Sequence, residues 1–576
     1  MAFQISPGVN VSEVDLTTVV PSVLTTAGAF AGTFPWGPAN QPVSIDSEIN
    51  LVRNFAPQGP DSASAVSFFT AANFLSYGNN LKIVRAVGST SNNATSSANV
   101  QILNASSFED SLLNQNNSDA YGPFIARYPG SLGNSIKVEI FDSSNSTLFN
   151  AWTYKNYFQS APTTSSYATK ANGLNDEFHI VVIDAGAKIT GIANTVLETF
   201  GFVSKAYDAT LNGTTNYYKQ VVFEQSKYIY ATDPADYANT SSTWGQNAYG
   251  TTFARIDAST YPGGNLAKTL SKGVDAAPSI GNLETAYDQF KNKDSIDVSL
   301  VLTGDASTTL QNYIISNIAN PDPLTDARRD CVVFVSPPSS AVVNKSGQET
   351  TLISAWVSSL TQSSYVFADS GWKYQYDKYN NVYRWIPLNG DIAGLCVSTD
   401  TARDPWFSPA GFNRGAIKNA IKLAWNPSKS DRDTIYATGV NPVVSFPGQG
   451  IILYGDKTLQ NKPSAFDRIN VRRLFIALER AISTAAKYSL FELNDEFTRA
   501  QFVSLVTPFL RDVQGRRGIT DFKVVCDSTN NTSQVIDSNR FVGDIYIKPS
   551  RSINFIQLNF VAVATGVDFT TIVGAA

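Results

Sequence analysis

The residues of this chain that could do chemistry are few and scattered. Its one histidine, His179, sits between Phe178 and Ile180 in a strand-like run. A lone imidazole there reads as a structural residue rather than a base, and there is no second histidine to complete a metal site. Cys331, Cys396 and Cys526 lie far apart and make no C-x-x-C pair, so they read as reduced core residues of a protein made in the cytoplasm. No P-loop, no G-x-S-x-G elbow and no G-x-G-x-x-G between a strand and a helix occurs. Carboxylate-only chemistry of the glycosidase kind stays formally open, because pair geometry cannot be read from spacing. The aromatic run 372–379 (WKYQYDKY) suits a sugar cleft or a packed domain interface equally. The most regular charges are basic. Arg473, Arg480 and Lys487 recur every seven residues and Arg472 joins them, opposite an apolar stripe of Val471, Leu474, Phe475, Leu478 and Ile482. Such a ridge is ordinarily a solvated face whose charges pair with neighbours such as Glu479.

The elements that carry these residues are α/β in type. The ridge helix is predicted to start at Ser464, where Ser-x-x-Asp467 forms a capping box. Residues 298–302 (VSLVL) and 331–335 (CVVFV) read as buried strands flanking an amphipathic helix over 308–318, which makes a βαβ unit. A further helix over 349–360 precedes a strand at 365–368. Near the N-terminus, helices start at Asp46-Ser47 and over 62–77, with Gly78 as the stop, and 81–87 (LKIVRAV) is a strand. Residues 88–117, rich in Ser and Asn, read as a linker or domain boundary. From 118 to 280 short apolar runs (136–140, 178–183, 220–223) alternate with Gly, Asn, Ser and Tyr, which predicts a strand-rich domain inserted into the first. The chain ends in a hairpin pattern. Phe541, Ile545 and Ile547 alternate with polar neighbours, 549–552 turn, and 553–564 (INFIQLNFVAVA) form a second strand that is apolar on both faces. Left at an open edge, that strand would invite aggregation, so it must be covered.

With 576 residues, three or four domains are expected. Charged residues are only 16%, against about 25% in ordinary soluble proteins. Ser, Thr, Asn and Tyr fill the deficit, which suits a surface that meets other protein. A net charge of −5 provides no attraction to nucleic acid or anionic lipid, so neither partner is expected. No signal peptide and no run of about 18 apolar residues is present.

Several polar-aromatic runs of the C-terminal half together resemble the contractile tail sheath proteins of T-even-type myovirus bacteriophages: 371–379, 382–394 (VYRWIPLNGDIAG), 408–415 (SPAGFNRG), 454–458 (YGDKT), 466–475 (FDRINVRRLF) and 526–532 (CDSTNNT). The resemblance returns near the N-terminus in 6–9 (SPGV), 34–39 (FPWGPA) and 73–87, while 90–280 matches only in patches such as 128–133 (YPGSLG). It implies a structural subunit that assembles as stacked hexameric rings in a helical sheath around a tail tube. Such a sheath contracts when triggered and has baseplate and tail terminator proteins as further partners. It implies no enzyme activity and no cofactor, and a virion assembled in the host cytoplasm. The alternatives are the sheath of a phage-derived injection particle or secretion system and, further off, a carbohydrate-active virion enzyme.

On this resemblance the chain divides into an inter-subunit arm (1–20), a discontinuous α/β core (21–90 and 291–520), an inserted outer domain (91–290), and tube-proximal strands with a second arm (521–576). The basic ridge of Arg472, Arg473, Arg480 and Lys487 becomes a candidate tube-facing surface. Val9, Val11, Val14, Ile553, Phe555, Ile556, Leu558 and Phe560 become candidate arm residues that add strands to neighbouring copies. The largest members of the family carry an extra outward domain just after the strand matching 81–87. That interval is short here, so a plainer exterior is expected.

Overall fold

The computed structural model describes residues 25–57, 59, 64–113, 118–232, 243–319 and 327–557. These fall into two compact units, one of residues 25–405 and 409–481, the other of 406–408 and 482–557. The expected boundary at 520 therefore moves back to Ile482, inside the ridge helix.

The larger unit is built on a seven-stranded sheet. Its strands are β1 (Gly28–Gly32), β2 (Pro42–Ile45), β3 (Leu81–Arg85), β4 (Leu300–Leu302), β5 (Val332–Val335), β6 (Val366–Asp369) and β7 (Val440–Asn441), in the order β7-β6-β5-β4-β1-β3-β2. All neighbours are parallel except β2 and β3. Parallel strands covered on both faces must be apolar throughout, and Leu300, Val301, Leu302 and the whole of β5 are accordingly buried. Among its helices are α1 (Glu48–Phe55), α2 (Ser64–Leu75), α3 (Thr308–Ile318), α4 (Glu349–Ser358) and α5 (Asn389–Ala402). Ser47 caps α1 by accepting from the Asn50 amide, and Ser307 caps α3 in the same way through Leu310. The βαβ unit β4-α3-β5 is as expected.

The runs at 371–394 turn out to be core architecture. Trp372–Asp377 pairs antiparallel with Val382–Pro387, and α5 follows directly. Two glycines let α5 approach α2: a Cβ on Gly390 would lie 2.5 Å from the Thr70 carbonyl oxygen, and one on Gly394 2.5 Å from the Tyr77 ring. Asn389 seals the carboxyl end of the sheet. Its side chain exchanges hydrogen bonds with the amide and carbonyl of Gly304 and donates to Ser336, whose hydroxyl in turn donates to Asp369.

The inserted segment has its own cores and, among the described residues, three antiparallel sheets: one of Ile229–Ala231, Phe124–Pro129 and Asn93–Thr95, one of Asn265–Thr269, Ile136–Phe141, Glu177–Asp184 and Thr195–Ser204, and a small one of Thr210–Leu211 and Thr214–Thr215. Two expectations change here. Residues 88–117, read as a linker or domain boundary, do not run as an unpaired linker: the outgoing chain pairs with the returning one, Gly88 N donating to Ala276 O (3.1 Å), Asn92 N to Val274 O (3.1 Å) and Thr95 N to Ser271 O (2.7 Å). Ser and Asn are common there because their side chains bond locally; Asn93, for instance, bridges Ile102 and Ala126. The apolar run at 220–223 is helical, within Tyr218–Gln225, with Tyr218, Lys219, Val221 and Val222 buried and Phe223 packed on Phe108 and Tyr230.

Candidate subunit interface

In the smaller unit, helix α6 (Ile469–Ala486) ends, a loop follows, and helix α7 (Glu496–Gly515) leads into strand β8 (Ile519–Val525) and, after a connection, strand β9 (Asp544–Pro549). Asp495 caps α7 by accepting from the Thr498 amide at 2.8 Å. Phe502, Val506, Leu510 and Val513 recur at helical spacing as its buried stripe. Strands β8 and β9 form a two-stranded antiparallel sheet on which no third strand lies among the described residues. Two strands alone leave both edges with unpaired backbone groups.

The run at 526–532 holds the connection between them. Asn531 donates to the Val542 carbonyl (2.8 Å) and accepts from the Val542 amide (2.9 Å), so its side chain acts as a piece of strand. Asn530 bonds the Val525 carbonyl (2.9 Å) and Asp544 (3.0 Å), tying the two strand ends together. Composition alone marks the segment as a loop; the clamp needs the geometry.

The hairpin expected from the sequence is therefore re-paired. Strand β9 takes β8 as its partner, and residues 551–557, the described start of the expected second strand, run on without regular structure. Ile553, Phe555 and Ile556 are all exposed. Leu558 and Phe560, like Val9, Val11 and Val14, lie outside the described residues.

The four basic residues do not form an exposed ridge. The Arg472 guanidinium is buried between the rings of Phe466 (3.9 Å) and Tyr365 (4.2 Å) and donates to Ser364 Oγ and the Tyr365 hydroxyl. Arg473 is buried against Asp400. Arg480 reaches Asp297, Ser299 and Asp330. Lys487 alone is exposed, in the short 3₁₀ turn after α6. The solvent face of the helix is instead narrow and carries Glu479, Ser483 and Thr484, and the seven-residue recurrence at Arg473 and Arg480 marks cations with intramolecular partners. The helix start also shifts: Ala465–Asp467 is a separate 3₁₀ turn capped by Ser464, and α6 begins at Ile469.

The remaining chemistry-bearing residues are structural. His179 accepts from the Phe202 amide at Nδ1 (3.1 Å), so Nε2 carries the proton and donates to the Ser160 carbonyl (2.9 Å); Phe158 stacks on its ring. Burial pushes its pKa down to about 4, which keeps the imidazole neutral. All three cysteines are free and buried. Among the described residues no group of three or more His, Cys, Asp or Glu could hold a metal, and no helix is long and apolar enough to cross a membrane.

The likeness to known proteins spans the chain. Across 99% of it, the sequence is 34% identical to the whole of the tail sheath protein of Vibrio phage KVP40. It is 33% identical to that of Enterobacteria phage T4 over 99% of both chains. The alignment with the Vibrio phage protein runs to 681 positions, so that relative carries segments this chain lacks. Residues 299–459 match the phage tail sheath protein central domain, and 461–562 the phage tail sheath C-terminal domain. The fold is shared with a crystallised sheath tail protein from Listeria innocua at 11% identity and a TM-score of 0.52, covering 92% of this chain and 96% of that one. It is also shared with the contracted helical sheath of the anti-feeding prophage, at 13% identity and a TM-score of 0.50, covering 97% and 99%. The chain belongs to the tail sheath proteins and is a structural subunit of a contractile bacteriophage tail.

Proposed function

We propose that copies of this chain polymerise as six-membered rings stacked in a helical cylinder around a tail tube, joined by strands that the terminal arms add to neighbouring copies. The carrying observation is the β8/β9 sheet, which has no third strand on either edge among the described residues, in the same unit as a segment whose Ile553, Phe555 and Ile556 are exposed. Each added backbone hydrogen bond contributes about 0.5–1.5 kcal/mol, and a few per arm repeated over every subunit hold a lattice together while the core units rearrange. Contraction then needs no catalysis and no nucleotide, because the extended packing is the higher-energy one. The baseplate supplies the trigger and a terminator protein closes the far end.

Deleting residues 1–20, or truncating after residue 550, leaves a folded and soluble subunit that forms no cylinders under negative-stain microscopy. Normal cylinders from either truncation would overturn the proposal.

A further inference from the structure

The loop between α6 and α7 is fixed by polar side chains and displays apolar ones. Asn494 donates to the Arg540 carbonyl at 2.8 Å, Arg499 donates to Asn494 Oδ1 at 2.9 Å, and Asp495 caps α7. Its apolar side chains point out. Tyr488, Leu490, Phe491, Leu493 and Phe497 are between 62% and 105% exposed. Phe491 also holds a left-handed backbone (φ +71°), an uncommon conformation for a bulky residue and a cost that the loop accepts in order to present the ring. Five large apolar side chains displayed within ten residues, on a loop pinned by side-chain hydrogen bonds, form a prepared docking surface rather than scattered surface residues.

The molecule carries a matching piece. Ile553, Phe555 and Ile556 are exposed in their own subunit, so these three side chains are not seated on its own loop. Asn494 is bonded to Arg540, four residues before β9 begins at Asp544, so the loop stands beside that end of the β8/β9 sheet. A strand added along the open edge of β9 would run off that end onto the loop. The charges close to the loop, Lys487, Glu492, Asp495, Glu496 and Arg499, are of mixed sign, which favours an apolar occupant over an ionic one.

We propose that residues 553–557 of a second copy lie across this loop, so that each subunit's two exposed apolar surfaces cover each other's counterparts in a head-to-tail series. The inference rests on the polymer reading above and adds the side-chain anchor to it.

The test is cross-linking within cylinders grown from the purified full chain. Leu493→Cys and Phe555→Cys are combined, isotopically light and heavy chains are co-assembled, and a short bismaleimide is added; the native cysteines are buried. The expected result is a ladder of covalent oligomers with mixed-isotope cross-links at these two positions, absent from each single variant. Cylinders without the ladder, cross-links confined to one chain, or Leu493→Cys captured instead by tube subunits on assembled tails would overturn the docking while leaving the polymer intact. Failure of the unmodified chain to form cylinders would overturn both. Independently, Phe491→Ser with Leu493→Ser should raise the concentration needed for polymerisation at least tenfold with an unchanged melting curve. Polymerisation at the wild-type concentration would count against the proposal.

Discussion

The Lys373 ammonium lies 2.9 Å from the Asp391 carboxylate, and neither side chain reaches solvent. Lys373 also donates to the Lys418 carbonyl (2.9 Å) and Tyr77 to Asp391 (3.3 Å), so the pair joins the 372–387 hairpin to α5 and α2. Removing one partner strands a buried charge. Lys373→Met should cost about 3–5 kcal/mol, and adding Asp391→Leu should recover part of it. Urea unfolding of the unpolymerised subunit measures both; equal destabilisation by the single and double variants would rule out the coupling.

Asp369, a neighbour in the same core, is held by Ser336 and the Gly371 amide with no cation against it, and burial pushes its pKa up to about 8. An unfolded aspartate titrates near 3.8. Between those values the folded state binds the extra proton, so this group lowers stability as pH rises from about 4 to about 8 and adds no further slope above that. The limiting slope is about 1.4 kcal/mol per pH unit. Asp369→Asn should flatten the stability profile between pH 5 and 8, and an unchanged slope would show that the carboxyl is ionised throughout.

His179 supplies the opposite case. Its folded pKa near 4 lies below the unfolded value of 6.5, so its contribution is intact above about 6.5 and is lost as pH falls toward 4. Because it is the chain's one histidine, C2-proton exchange followed by mass spectrometry reads it without assignment. A midpoint near 6.5 in the folded subunit would contradict the buried, neutral ring.

Arg473→Glu should act on folding before assembly. The reversed charge would face the buried Asp400 carboxylate, and a loss of about 3–5 kcal/mol is expected. Lys487→Glu, at an exposed position, should leave folding and sheath-only polymers unchanged, and any effect on tube coating should be salt-sensitive. Melting curves separate the two, and an Arg473→Glu subunit of wild-type stability would refute the first claim.

Asn531→Ala should loosen the β8/β9 connection by about 1–3 kcal/mol, since it leaves the Val542 amide and carbonyl without partners. Hydrogen exchange in β8 and β9 should rise while exchange in β4 and β5 stays fixed. Equal acceleration in both places would show that the clamp is not local.

Buried strands and capped helices were legible because they are written in contiguous patterns. The apolar runs of β4 and β5, the Ser47 cap and the periodicity of α3 each point to one answer. What escaped depends on long-range partners. The spacing of Arg473 and Arg480 is that of a surface ridge, and only the positions of Asp400, Asp297 and Asp330, far away in sequence, show where those guanidinium groups go. The partner of β9 was missed for the same reason, since adjacency favours 553–564 and the structure pairs it with β8 across residues 526–543. The exposed apolar side chains at 488–497 escaped because neither helical nor strand periodicity describes how an irregular backbone places them.

The paired crossing of residues 88–95 with 271–276 has a consequence for how such a subunit can change. Because the chain leaves the core and returns to it side by side, whatever lies between is spliced in at one place, and the core need not be rethreaded to replace it. Foreign domains whose own termini lie close together could be grafted there, one on every subunit along the tail.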